Sequence, residues 1–138
     1  MILVDTDHSS HLKYPDSERG RRLIARLDAV PPSEVIAVAI VTVEERMRGW
    51  LATIAKERTA LRQVVGYQEL AKLFEFYQAF KIVPFDEAAA RQFDELRGQR
   101  IRLGTMDLKI AATALVQNAL LLSANLRDFQ QVPGLRVE

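Results

Sequence analysis

Short runs of uninterrupted apolar residues punctuate this chain, separated by longer stretches in which apolar side chains return every three or four positions. Ile2-Leu3-Val4 is the first such run, and it predicts a strand buried on both faces. Polar residues follow, then a helical pattern over Arg19 to Leu27 carrying Leu23, Ile24 and Leu27. Val35 to Val41 is wholly apolar and rich in β-branched residues, as a central strand would be. Thr42 with Glu45 three residues on has capping-box spacing for the next helix, whose stripe is Val43, Met47, Trp50, Leu51 and Ile54. A longer helix is predicted over Arg58 to Ala79, with Leu61, Val64, Tyr67, Leu70, Phe74 and Tyr77 at helical spacing. Lys81-Ile82-Val83 reads as a short strand before Pro84, and Asp86 as the cap of a helix reaching Arg97. Thr105 is placed to cap a helix from Met106 to Asn118; Leu120-Leu121-Leu122 is a further buried strand, and Leu135 to Val137 a short last one.

Strands that alternate with helices and are apolar throughout predict an α/β fold. Its parallel, twisted sheet of four to five strands carries helices on both faces. The chain of 138 residues suits one domain over residues 1–138, since nothing in it resembles a linker, a repeat or a low-complexity tract. Hydrophobic residues make up 49% and charged residues 27%, an ordinary globular balance. There is no cysteine, which excludes disulfides, thiolate metal sites and cysteine nucleophiles. The opening residues lack the basic segment of a signal peptide, and no run approaches the ~18 apolar residues of a membrane span. A cytoplasmic protein is expected. The formal charge of +1 gives no bulk argument for nucleic acid, so any such function depends on where the charges sit.

Several of them sit after strands. In open parallel sheets, ligands bind beyond the carboxyl ends of the strands. Asp5 follows the first strand, Glu44 and Glu45 the second, and Asn125 and Asp128 the run Leu120–Leu122. Asp107 lies in the first turn of its helix, at the edge of an apolar face formed by Leu108, Ala111, Ala112 and Leu115. It is rotated ~200° from Lys109, which begins a polar stripe continued by Thr113 and Gln117. Such a carboxylate either complements the helix dipole or points into a pocket where a partner must neutralise it. Several carboxylates at one edge repel each other, so some take up protons or a cation binds. Oxygen donors without thiolates favour Mg2+ or Mn2+. Such an ion suits hydrolysis of a phosphodiester by in-line displacement.

Five segments in register, ILVDTDHSS, VIAVAIVTVEERMRGW, IVPFDEAAARQFDEL, GTMDLKIAATAL and LLLSANLRDFQQVPGLRVE, resemble PIN-domain ribonucleases, and most of all the VapC-type toxins of bacterial toxin–antitoxin pairs. The resemblance runs nearly end to end. It implies a metal-dependent endoribonuclease whose acids are Asp5, Glu45, Asp107 and Asp128, with Mg2+ as the ion and Mn2+ as a substitute. Glu45 takes the family position because Thr42 and Val43 precede it and Gly49 follows by four; Glu44 is then its neighbour. Many relatives carry an aspartate where this chain has Asn125, and others share its Asn-x-x-Asp-Phe pattern, so Asp128, three residues on, is the available fourth acid and Asn125 a support whose amide adds no charge. Thr6 and Ser123 are candidate supports within the acidic site, and Asp7 supports Asp5. The resemblance also implies a homodimer and an antitoxin that enters the active-site groove; the apolar stripes at Met47–Ile54 and Leu61–Tyr77 serve either such a groove or the core.

The rival assignments are weaker. Asp5-Thr6-Asp7 also resembles the opening of haloacid-dehalogenase-type phosphatases, with Leu121-Leu122-Ser123 as a second motif. The fifteen residues after Ser123 contain no lysine, which that family requires and which a response regulator would also need. His8 and His11 share a helix face, yet no third nitrogen or sulfur ligand accompanies them for zinc. A non-catalytic PIN domain that only binds RNA or protein draws on Asn125, against the intact Asp5, Glu45 and Asp107. Of the 19 basic residues 14 are arginine, which suits phosphate recognition. Arg46 and Arg48 flank Glu45, while Arg97, Arg100, Arg102 and Lys109 flank Asp107. Arg46, Arg48, Arg100 and Arg102 are the candidate RNA path.

Overall fold

The computed structural model describes residues 1–12 and 14–138. Its elements run β1 (Ile2–Val4), α1 (Thr6–Leu12), α2 (Glu18–Asp28), β2 (Ile36–Ala39), α3 (Ile40–Lys56), α4 (Ala60–Tyr77), β3 (Lys81–Val83), α5 (Glu87–Gly98), α6 (Thr105–Val116), β4 (Leu120–Leu122), α7 (Leu126–Phe129) and β5 (Arg136–Val137). The five strands form one sheet in the order β3-β2-β1-β4-β5, every pair parallel. The expected α/β fold with a five-stranded parallel sheet is therefore present. Leu3 stands between Ala37 of β2 and Leu121 of β4, so β1 is the centre of the register.

Alternation along the strands sends side chains to opposite faces. Leu3, Ala37, Ala39, Val83 and Leu121 pack with Leu96 of α5 and with Leu108, Ala111 and Ala112 of α6. On the other face Val4 and Val38 meet Leu73 and Tyr77 of α4, and Ile2 and Leu122 meet Leu23 of α2. Covering both faces explains why β1, β2 and β4 are apolar throughout. The edge strand β3 is wetter, with Lys81 and Ile82 exposed.

Some boundaries differ from the sequence expectation. The strand expected over Val35 to Val41 ends at Ala39, and α3 begins at Ile40 with Ala39 as a cap that supplies no side-chain bond. Thr42 is therefore inside the first turn and fully buried, not the cap. Ala39, Val41 and Thr42 are buried across the junction, and Ile40 between them is apolar although 40% exposed. Hydrophobicity cannot mark where one becomes the other. Thr105 is likewise the first helical residue, with Gly104 in the cap position. The helix expected from Arg58 starts at Ala60, where the Thr59 hydroxyl accepts from the Arg62 N–H at 3.3 Å. Thr113 belongs to the core rather than to a polar stripe. It is buried, and its hydroxyl donates to the Lys109 carbonyl at 2.9 Å, because α6 is covered by the sheet and by α5 together. Asp86 caps α5 as expected, accepting from the Ala89 N–H at 2.9 Å. Among the described residues no helix is long and apolar enough to cross a membrane.

Candidate active site

Strand order reverses beside β1: the chain moves from β1 outward to β2 and β3, then returns to place β4 on the other side. The crevice beyond such a switch point is where doubly wound sheets bind ligands. Asp5 sits in it, at the end of β1, and is only 3% exposed. Its main-chain N–H donates to the Leu122 carbonyl at 3.0 Å, which fixes it to β4. The Thr6 N–H donates to Asp5 Oδ1 at 2.6 Å, and the Ser123 hydroxyl donates to Asp5 Oδ2 at 2.6 Å. Burial pushes the Asp5 carboxyl up; the bonds from Ser123 and Thr6 pull it back, and the charges of Asp7 and Glu45 push it up again.

Thr6 joins Asp5 to the next acid. Its hydroxyl donates to Glu45 Oε2 at 2.8 Å, linking the start of α1 to the second turn of α3. Glu44 is engaged elsewhere, paired with Arg48 at 3.0 Å one turn along α3. Asp107 stands in the first turn of α6, half-buried. Its carboxyl is pushed up from 3.8 to about 6, first by burial and then by the charges of Asp5, Glu45, Asp7 and Asp128. A carboxylate whose main neighbour was the helix dipole would move down instead. Burial, with the crowding of acids after it, therefore sets the direction at Asp107. Asp128 lies in α7 and is half-buried, and the Asn125 N–H donates to Ser123 Oγ at 3.0 Å.

The expected acids Asp5, at the end of β1, Glu45 of α3 and Asp128 of α7 thus all come within electrostatic reach of Asp107 on α6. Among the described residues no three His, Asp or Glu side chains are drawn together closely enough to hold an ion as they stand. What fits a cation is the donor set and its charge. The donors are all oxygens, and each charge that acts on Asp107 is another carboxylate. A hard divalent ion is the kind of partner such an all-oxygen donor set suits.

The expected basic residues divide. Arg46 lies with the acids, lining a cleft of about 410 Å3 with Thr6, Asp7, Glu45, Gly49, Trp50 and Thr53. Arg48 is held by Glu44. Arg97 lies over the Phe93 ring at 5.6 Å, and Lys109 over Phe85 at 5.6 Å. Arg100, in left-handed backbone at φ 55°, and Arg102 are exposed in the connection from α5 to α6. His8 and His11 face each other, ring centroids 6.2 Å apart, on α1. Sequence reasoning passed over Ser9, which is buried and donates to the Thr6 carbonyl at 2.8 Å, and Tyr77, bonded to Ser9 and raised by burial. The one available signal was the three-residue spacing of Ser9 from Thr6 on a helix not read from the pattern.

Comparison with known proteins adds an independent observation. A family model described as PIN domain matches residues 2–135. The chain is 42% identical over 62 residues to Ribonuclease VapC1 of Rickettsia felis, an alignment covering 42% of this chain and 46% of that protein. The chain thus spans about half the length of that relative. It is 26% identical over 130 residues to Ribonuclease VapC2 of the same organism, covering 91% of this chain and 86% of the relative. Among solved structures, VapBC2 from Rickettsia felis bound to a DNA fragment from their promoter superposes with a TM-score of 0.73 at 21% identity, covering 100% of this chain and 98% of that one.

Proposed function

The chain belongs to the PIN domain family, and from that premise we propose that it is a metal-dependent endoribonuclease, acting in the cytoplasm as the toxin of a toxin–antitoxin pair. Residues 1–138 form one PIN domain on this reading. The observation that carries it is the convergence of acids on Asp107, raised to about 6 by burial and by four other carboxylates. Relatives named Ribonuclease VapC1 and Ribonuclease VapC2 support RNA as the substrate.

Asp5, Glu45, Asp107 and Asp128 would hold Mg2+, or Mn2+ in its place. Held there, such an ion would supply Lewis acidity and positive charge beside the phosphate. The remaining work belongs to the chain. Ser123 and Thr6 occupy one oxygen each of Asp5 and so fix the plane of its carboxylate. Thr6 also orients Glu45, so one hydroxyl-bearing residue aligns two acids. Arg46, beside Glu45 in the cleft, offers a guanidinium to a phosphate oxygen. Asn125 contributes an amide without charge, which leaves Asp128 as the fourth acid.

The partners on this reading are a cognate antitoxin and a second copy of the chain. The solved relative VapBC2 from Rickettsia felis supports a two-component complex. So does an apolar groove of about 580 Å3 lined by Ile40, Met47, Leu73, Phe74 and Phe80, beside an α4 surface on which Leu61 is 83% exposed.

Incubating the purified chain with single-stranded RNA tests the activity. Cleavage is expected with Mg2+ or Mn2+, and it is expected to fall at least ~100-fold with a chelator or in Asp107→Asn. Cleavage undiminished by both would overturn the assignment. RNA binding without cleavage under every metal condition would leave the non-catalytic PIN domain instead.

A further inference from the structure

A second cavity, of about 610 Å3, opens between α1, α2 and the ends of β4 and β5. The mechanism above does not use it. Its walls are basic in a regular way. Arg19, Arg22 and Arg26 recur at three- and four-residue spacing, so they project from one face of α2. His8 and His11, three apart, project from α1 opposite them. The two helices are held close at Gly20, where a Cβ would meet the Tyr14 carbonyl oxygen at 2.3 Å and that of His11 at 2.9 Å.

The charges lining this cavity are only partly spoken for. Arg26 is held by Glu138 through bonds of 2.6 and 2.9 Å. Arg22 pairs with Glu18 at 2.5 Å, but both are largely exposed, so solvent screens the pair. Arg19 has no ion pair among the described residues. His8 Nδ1 is buried without a hydrogen-bond partner. Burial first, then the charge of His11, holds the His8 imidazole below its ordinary range; Asp7 opposes this and Arg19 adds to it.

The cavity also touches the candidate active site. Leu122 and Ala124 line it, and between them lies Ser123, whose hydroxyl donates to Asp5. An RNA strand leaving the carboxylate cleft passes acids that repel its backbone, and on this side the cavity wall at Leu122 and Ala124, which flank Ser123, is shared with the arginines of α2. Guanidinium groups on a fixed helix face match the oxygens of a phosphodiester.

We propose that this cavity is a subsite for a non-scissile phosphate of the RNA, next to the bond that is cut. It rests on RNA being the substrate, and it assigns Arg19 and Arg22 as the groups that grip that phosphate, with Arg26 held in line by Glu138.

The test compares the wild-type chain with R19Q/R22Q on two substrates: a short single-stranded RNA that the wild type cleaves, and the dinucleotide of the same cleavage site, which has only the scissile phosphate. Both arginines are exposed, so the variant should melt with the wild type. Its kcat/KM on the longer RNA is expected to fall about tenfold, and the slope of log affinity against log salt to shrink by about 0.7, one single-strand phosphate contact. Its kcat/KM on the dinucleotide is expected to be unchanged. If the wild type cleaves the longer RNA and the variant does so equally well, the subsite is wrong while the nuclease assignment stands. Equal losses on both substrates would move these arginines into the chemistry and overturn the proposal. Unaltered RNA cleavage with loss of binding to the cognate antitoxin would give the cavity to an acidic protein segment, and also overturn it. A wild type that cleaves no RNA removes the premise itself.

Discussion

Asp107 reports on the candidate site by its proton affinity. In the folded chain its carboxyl is raised from 3.8 to about 6, while in the unfolded chain it keeps the ordinary value. Between those limits the folded state holds a proton that the unfolded state has released. The resulting stabilisation is present in acid and is lost as pH rises through about 6. In the absence of divalent ions, Asp107→Asn should therefore gain on the wild type as pH rises from about 4 to about 7, and match it near pH ~4. Urea midpoints of the two proteins across that range provide the measurement; parallel midpoints would remove Asp107 from the acidic cluster. His8, lowered, titrates in both proteins and so cancels in the comparison, whereas Asp5, coupled to Asp107, is relieved of one repulsion in the variant and adds to the same gain. The residue types and their strand-end positions were legible from sequence, which picked out Asp5, Glu45, Asp107, Thr6 and Ser123. The bonds among them were not, because Ser123 reaches Asp5 across 118 positions of chain and nothing local announces it.

At the level of elements, existence was easier to read than extent. β1, β3 and β4 fall where apolar runs fall, and α5 begins at its cap Asp86. The β2–α3 junction was misplaced because Ala39, Ile40, Val41 and Thr42 stay apolar or buried across it, so no polar residue marks the change of period. α1, hinted at only by the spacing of His8 and His11, and α7 were not drawn from the apolar pattern because each is short, with its place set by what lies beneath: Ser9 in one and Phe129 in the other are buried. Glycines separate packing from propensity on these helices. At Gly20 a Cβ would collide with backbone oxygens, so Gly20→Ala should cost ~1–3 kcal/mol of overpacking. At Gly49, inside α3, a Cβ meets nothing within 4 Å, so Gly49→Ala should gain about 0.5–1 kcal/mol from helix propensity alone. Chemical denaturation of both variants decides the matter. Shifts of the same sign would show that the closeness of α1 to α2 is not what Gly20 protects.

Across the whole molecule a formal charge of +1 conceals a separation of charge. Acids from β1, α3, α6 and α7 gather at the switch point, and arginines of α2 line the cavity on the β4 side. Parallel strands and a site beyond their carboxyl ends followed from the apolar runs; the order β3-β2-β1-β4-β5 did not. Which strand flanks β1 depends on which face each connecting helix covers, and the same apolar run would serve in several positions. The acidic centre has a consequence for the molecule as a whole, because an ion bound only by the folded chain stabilises it by mass action. At about 100 times its dissociation constant that amounts to ~2.7 kcal/mol, which should raise Tm by several degrees. Melting curves in Mg2+ or Mn2+, against Na+ at equal ionic strength, isolate this from general screening. In Asp107→Asn one ligand and the repulsion it supplied are both gone, so the gain in Tm should drop by more than half. An equal gain in both proteins would mean that the ion binds elsewhere, and the four acids would then have no claim to it.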